Sequence, residues 1–263
     1  MPKVSIIMAT YNCAGTVARA IDSILSQTLT DWEFIICDDG SSDTTVSILN
    51  EYQRSYPGKI ILLTNAANSK LPFSLNRCLA HAHGEFIARM DADDISLPRR
   101  LEKQVKYLEE HPEHSVVGTS MLRFDERGEY GMVKAVQHPD KDTLLTQVPF
   151  CHATILMRKS AYDALGGYVV SKRTERGQDL DLWFRFFAKG FSGNNLPEAL
   201  YKACEDRATL RRRKFKYDLY LTQTRFLGFR MLRFPWWKYP FVLKSFVSFF
   251  TPRWIKLLWR KSM

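Results

Sequence analysis

The chain has 263 residues, 45% of them apolar and 25% charged, enough to close one large core or two small ones. It shows no internal repeat, no low-complexity tract, no uncharged apolar run of about 18 residues and no secretory-type leader, so fibrous, disordered and membrane-spanning classes are set aside. The formal charge of +10 is lopsided: residues 209–263 hold 14 Lys and Arg against the single acid Asp218, while the first 208 residues hold 24 against 27 acids.

Residues 3–9 (KVSIIMA) form an apolar run with β-branched side chains, which predicts a buried parallel strand. Val17, Ile21, Ile24 and Leu25 then recur on one helix face. A second strand is predicted over 33–37, closed by Asp39-Gly40-Ser41, and Val46 with Leu49 marks a second helix. A third strand at 59–63 leads to a helix over 71–82. A fourth strand at 85–90 leads to a helix striped by Leu101, Val105 and Leu108, with Pro98 near its first turn and the stripe running up to Pro112. Four strand–helix alternations predict right-handed βαβ units, hence an α/β fold with a mainly parallel sheet flanked by helices. Strands are predicted again at 115–124, 152–158 and 198–203, with a turn at Gly166-Gly167 and a helix striped by Leu180, Trp183, Phe184 and Phe187. From 212 the pattern is helical, interrupted by Pro235, Pro240 and Pro252. The change of charge sign divides the chain into 1–208 and a basic, aromatic-rich helical region, 209–263. Five scattered cysteines, odd in number and without zinc-site spacing, suit a reducing compartment.

Ligands of open parallel sheets bind outside the carboxyl ends of the strands. Three polar clusters fall there: Thr10-Tyr11-Asn12, Asp38-Asp39-Gly40-Ser41-Ser42-Asp43 and Asp91-Ala92-Asp93-Asp94. Neither a G-x-G-x-x-G fingerprint nor a P-loop is present, which argues against NAD-type and P-loop readings. Three carboxylates within four residues repel one another unless a cation screens them, and a hard ion such as Mg²⁺ or Mn²⁺ commonly bridges carboxylates to a substrate diphosphate. In an extended segment Asp91 and Asp93 point the same way, leaving Asp94 to cap the following helix or to bind through water. The same acids also suit a solvated turn before a helix. The 38–43 cluster fits a base or ribose contact, but equally a local turn and cap. Asp179 and Asp181 open a helix and diverge by about 200° around its axis, so one can serve as a general base while the other holds a loop. His152 precedes an apolar run and fits either the rim of an acceptor site or a satisfied core position; the other five histidines receive no role.

Together these segments resemble the family 2 glycosyltransferases of GT-A fold. The likeness runs over about residues 3–205. Val4–Asn12 is similar to the family's opening strand, with Ala9 where proline is usual. Asp38–Asp43 resembles its nucleotide-binding turn, and Ile87–Asp94 its D-x-D segment. Gly166-Gly167-Tyr168 and Gln178–Trp183 are similar to its acceptor side, written E-D-x-D-L-W, with Gln178 replacing the usual acid. The resemblance implies an inverting transfer from a nucleotide-sugar, with a preference for uridine, and Mn²⁺ or Mg²⁺ as cofactor. It assigns nucleoside and donor contacts to Thr10, Tyr11, Asn12, Asp38 or Asp39, Arg89, Asp91 and Ala92, the metal to Asp91 and Asp93, and the general base to Asp179. The Q-x-x-R-W segment of processive members is missing, which implies addition of a single sugar. Arg211-Arg212-Arg213 either folds over the diphosphate or begins the basic tail.

Trp236, Trp237, Trp254 and Trp259 are interleaved with the basic residues of that tail. Such a pattern suits a membrane surface with anionic lipid rather than nucleic acid. The expected acceptor is a glycan or a lipid-diphosphate-linked sugar, and the expected location is cytoplasmic, peripheral on the inner face of the plasma membrane. A nucleotidyltransferase is the competing enzyme class, although the glycine-rich basic loop expected after its first strand is missing. A non-catalytic basic binding module would leave the acids at 38–43 and 91–94 without a task.

Overall fold

The computed structural model describes residues 1–205 and 215–243. Its first half alternates as the periodicity predicts: β1 (Val4–Thr10), α1 (Val17–Leu25), β2 (Trp32–Asp38), α2 (Thr45–Ser55), β3 (Ile60–Thr64), α3 (Leu71–Ala80) and β4 (Phe86–Arg89). There follow β5 (Ile95–Ser96), α4 (Arg100–Glu110), β6 (Val116–Asp125), β7 (Gly128–Val133), α5 (Thr143–Thr146) and β8 (Leu156–Arg158). The last elements are α6 (Lys159–Leu165), α7 (Gln178–Ala188), β9 (Gly193–Cys204) and α8 (Phe215–Met231), then a 3₁₀ segment, Trp236–Leu243.

The sheet order is β3-β2-β1-β4-β8-β6-β9-β5, with β7 paired to β6. The β3-β2-β1-β4 half is parallel, as is the β6–β9 pair. The β4–β8, β8–β6, β6–β7 and β5–β9 pairs are antiparallel, so the sheet is mixed. Helix α6 starts directly after β8.

Alternation along the strands sorts the apolar side chains into two layers. Ile7, Ile35 and Ile87 face a core shared with α3, α6, α7 and α8. Ile6, Met8, Phe34 and Ile36 face α1, α2 and α4. Part of the basic region belongs to the first layer, since Phe229, Leu232, Phe234 and Val242 are buried in it. At Gly228 of α8 an added Cβ would stand 2.2 Å from the Phe184 ring of α7; this glycine permits the close approach of the two helices.

Two local expectations change. Residues 152–158 split into a 3₁₀ turn, His152–Thr154, and the short β8, because Thr154 Oγ1 bonds back to the Cys151 carbonyl at 2.9 Å. Pro98 lies just ahead of α4, near its start as expected, and its carbonyl accepts from Thr28 N at 2.9 Å. Residues 91–94 are a turn and not an extended segment, closed by Asp94 N donating to the Asp91 carbonyl at 3.3 Å. Arg211–Arg213, Trp254 and Trp259 lie outside the described residues.

Candidate active site

The parallel half ends its β1, β2 and β4 strands on one edge, and the three polar clusters meet there. Thr10 Oγ1 donates to Asp38 Oδ1 at 3.0 Å across the β1–β2 register. Asp38 also accepts from Ser41 Oγ (2.6 Å) and Ser41 N (2.9 Å). Asn12 N donates to Ser41 Oγ at 2.9 Å, and Ser42 N donates to Asn12 Oδ1 at 2.8 Å, which stitches the β1 exit to the β2 exit. Tyr11 is left with its ring 49% exposed beside this floor. Asp39 turns inward. It accepts from Asn65 Nδ2 (2.6 Å), Ser69 N (2.9 Å), Lys70 N (2.9 Å) and Ser74 Oγ (3.0 Å), and so gathers the β3–α3 connection under the strand tips. Gly40 closes against that connection: its φ is +75°, and a Cβ there would stand 2.9 Å from Ala67 backbone.

At the β4 tip the Asp91 carboxylate is held by Arg89, whose Nη2 lies 2.5 Å away and whose side chain is only 2% exposed. Arg89 therefore acts on this loop from below. Its carbonyl accepts from the fully buried Arg100 at 3.1 and 3.2 Å. Burial pulls Arg100 down to about 10, so it remains a cation at neutral pH. Tyr201 of β9 closes the far wall: Asp91 N donates to its hydroxyl at 3.2 Å. Asp93 reaches solvent, yet the atoms packed around it and the nearby Asp91 push its carboxyl up. Asp94 neither caps α4 nor faces solvent. It is buried, accepts from Cys204 N at 2.7 Å, and is pushed up to about 8 by burial, with Asp91 and Asp93 adding to the effect.

Asp91 is thus close enough to Asp93 to disfavour the charge of Asp93, and the two offer hard oxygen donors at a rim open to solvent. That donor set fits Mg²⁺ or Mn²⁺, which keeps further positions for water and diphosphate oxygens.

Asp179 stands in the first turn of α7. Leu180 N donates to its Oδ1 at 2.8 Å. Burial raises its pKa, and the field of Asp91 adds to the rise, which sets Asp179 within electrostatic reach of the β4 tip. Asp181 diverges as helical geometry requires and is bound by Arg173 (2.7 Å) and Arg185 (2.8 Å). Arg225 of α8 comes within electrostatic reach of Asp179. His152 is a core residue: its Nε2 lies 2.7 Å from the Tyr168 hydroxyl, its ring meets Trp183 edge-on, and burial holds it well below the usual histidine range, hence neutral. Residues that the sequence did not single out as part of the site include Arg19, whose Nη2 donates to the Asp93 carbonyl at 2.9 Å, with Arg100, Tyr201 and Arg225. The single legible signal was the position of Tyr201 in the last predicted strand.

The profile described as Glycosyl transferase family 2 matches residues 5–166. EpsE of Bacillus subtilis, named as a glycosyltransferase, is 47% identical over 251 residues, which is 95% of this chain and 90% of that protein. The Escherichia coli UDP-Glc:α-D-GlcNAc-diphosphoundecaprenol β-1,3-glucosyltransferase WfgD is 41% identical over 105 residues, 40% of each chain. Among solved structures, the mannosyltransferase PcManGT from Pyrobaculum calidifontis in complex with GDP-Man and Mn²⁺ superposes with a TM-score of 0.65 at 18% identity, covering 99% of this chain and 79% of that one. The last likeness supports the GT-A fold. A profile match over more than half of the sequence, joined to near end-to-end relatedness with EpsE, establishes that the chain belongs to glycosyl transferase family 2.

Proposed function

We propose that this glycosyltransferase moves one sugar from a UDP-sugar, with inversion, onto a glycan carried on a lipid diphosphate during assembly of a cell-surface polysaccharide. The observation that carries the reading is the placement of Asp179, in the first turn of α7, within the field of Asp91 at the β4 tip. Tyr11 and the Thr10–Asp38–Ser41 floor receive the nucleoside, the ring of Tyr11 stacking on the base. Asp91 and Asp93 hold the divalent cation, and Arg89 keeps Asp91 in place. When bound, that ion supplies positive charge beside the departing diphosphate. Asp179 takes the proton from the attacking hydroxyl of the acceptor, while Asp181, tied to Arg173 and Arg185, fixes the start of α7.

A lipid-linked acceptor accords with the chemistry of the C-terminal region. Phe215, Leu219 and Phe226 lie along one side of α8 and are exposed, and Trp236 and Trp237 are 80% and 63% exposed beside Lys238. Aromatic rings with neighbouring cations suit the headgroup layer of an anionic membrane, and the enzyme works there at the inner face of the plasma membrane. No described helix is long and apolar enough to cross a membrane. The UDP preference and the lipid-diphosphate acceptor accord with the name of WfgD, and the choice of Mn²⁺ or Mg²⁺ with the ion held by PcManGT.

The test is incubation of the protein and Mn²⁺ with a panel of UDP-sugars and an undecaprenyl-diphosphate-linked monosaccharide. One nucleoside diphosphate released per sugar added, and lost on chelation, is the expected result. Release of pyrophosphate from a nucleoside triphosphate and a sugar phosphate would reverse the reading in favour of nucleotidyl transfer.

A further inference from the structure

A second group of ligand-type side chains stands at the other end of α4. The strand register sets Val116, the first residue of β6, level with Met157, Ile87 and Ser5, on the sheet edge opposite the cleft. The connection entering β6 there reads His111-Pro112-Glu113-His114. One donor atom from each of His111, Glu113 and His114 lies within 4.8 Å of the other two. Glu113 Oε1 is 3.2 Å from His111 Nδ1 and 3.8 Å from His114 Nδ1. Donors bound to a tetrahedral zinc ion at about 2.0–2.1 Å stand about 3.3 Å from one another; the His111–Glu113 spacing meets that value, and the His114–Glu113 spacing exceeds it by an amount that side-chain rotation closes. Tyr107 Oη lies 2.9 Å from His114 Nδ1.

The scaffold is fixed without an ion. Arg158 of β8 donates to the carbonyls of Leu108 (2.5 Å), His111 (3.4 Å) and His114 (2.9 Å). Ser192 Oγ donates to the Glu113 carbonyl at 3.0 Å, and Ser115 N to the Ser192 carbonyl at 2.8 Å. The Tyr107 ring packs on both imidazoles, at centroid distances of 4.3 and 5.8 Å. His111 and His114 are half-buried and Glu113 is exposed, so the donors are anchored while their open side faces solvent. An ion therefore meets preset side chains and need not order a loop.

We propose that His111, Glu113 and His114 bind a borderline divalent transition metal of the Zn²⁺ class, which staples the end of α4 to the start of β6. Two imidazoles and one carboxylate select such an ion, whereas the oxygen-only set at Asp91 and Asp93 selects Mg²⁺ or Mn²⁺. The two sites occupy opposite edges of the sheet, and the sugar transfer uses only one of them.

The test titrates chelator-treated, full-length protein with zinc chloride against a chromophoric zinc indicator, and with cobalt(II) chloride by visible absorption. One tight equivalent of zinc, the strong visible bands of tetrahedral cobalt and a rise in Tm with zinc are expected. H111A and H114A lose the tight equivalent and the bands. E113Q, a change at an exposed side chain, weakens binding while leaving the metal-free Tm unchanged. D91A keeps the equivalent, which separates this site from the cleft. Absence of a tight equivalent in the native protein, or its survival in the H111A/H114A double variant, overturns the proposal.

Discussion

Asp179→Asn exchanges one oxygen for nitrogen and removes the proposed proton acceptor without changing shape. General-base assistance is worth about 10²–10⁴-fold, so kcat falls by that order while donor affinity, measured by calorimetry with Mn²⁺, is kept. The raised pKa of Asp179 sets the sign of the pH dependence. The base works only when ionised, so the rate drops as pH falls through a value above the usual carboxylate range, and a pH profile of Asp179→Asn loses that acid limb. Asp39 behaves differently. Asp39→Ala removes the acceptor from four donors, of which Asn65 Nδ2 keeps a second partner in Ser74 Oγ and the two backbone N–H groups are only part-buried, so the loss in urea unfolding is about 1–3 kcal/mol, the cost of one buried unsatisfied group. The sequence shows Asp39 as an acid at a strand tip. It does not show that the donors come from 26 to 35 residues further on, because β3 and α3 must first fold against β2. Arg89 is a similar case: its place beside Asp91 is legible, its burial is not.

At the scale of elements, the parallel half is legible because β1, β2 and β4 are buried on both faces and the helices between them carry apolar stripes. The rest is not, for identifiable reasons. The strand β7 is exposed along almost its whole length and carries no alternation to read, and β5 has two residues. The antiparallel entry of β8 depends on Arg158 reaching carbonyls 44 to 50 positions earlier, which no local window contains. The joint between α7 and α8 depends on one absent side chain. Gly228→Val drives a branched side chain into Phe184. Overpacking of this kind costs about 1–3 kcal/mol, and at about 2–4 °C per kcal/mol calorimetry should record a Tm lower by several degrees.

Across the described residues, the acids of the cleft and the exposed tryptophans lie in different regions. The cleft edge carries the acids, and the described C-terminal elements carry exposed rings beside cations. If these rings rest in a headgroup layer, replacing both Trp236 and Trp237 by alanine weakens binding to anionic vesicles severalfold in a flotation assay, while transfer to a water-soluble acceptor is unchanged. A basic residue near an anionic surface contributes about 1 kcal/mol and is screened by salt, so binding of the native protein also falls as ionic strength rises. Equal binding to neutral and anionic vesicles would remove the electrostatic part of this reading. The charge reversal was legible from composition alone. That the same region also supplies Phe229, Phe234 and Val242 to the core was not, because a basic amphipathic pattern reads alike whether its apolar side meets lipid or protein.

The shared layer of α7 and α8 has a practical corollary for anyone preparing this enzyme. A chain cut at 208, where the charge pattern invites the cut, strips the cover from Phe184 and from the start of the helix bearing Asp179. Such a fragment should collect in inclusion bodies. Ending the chain at 243 keeps that cover and is the better route to material for crystallisation.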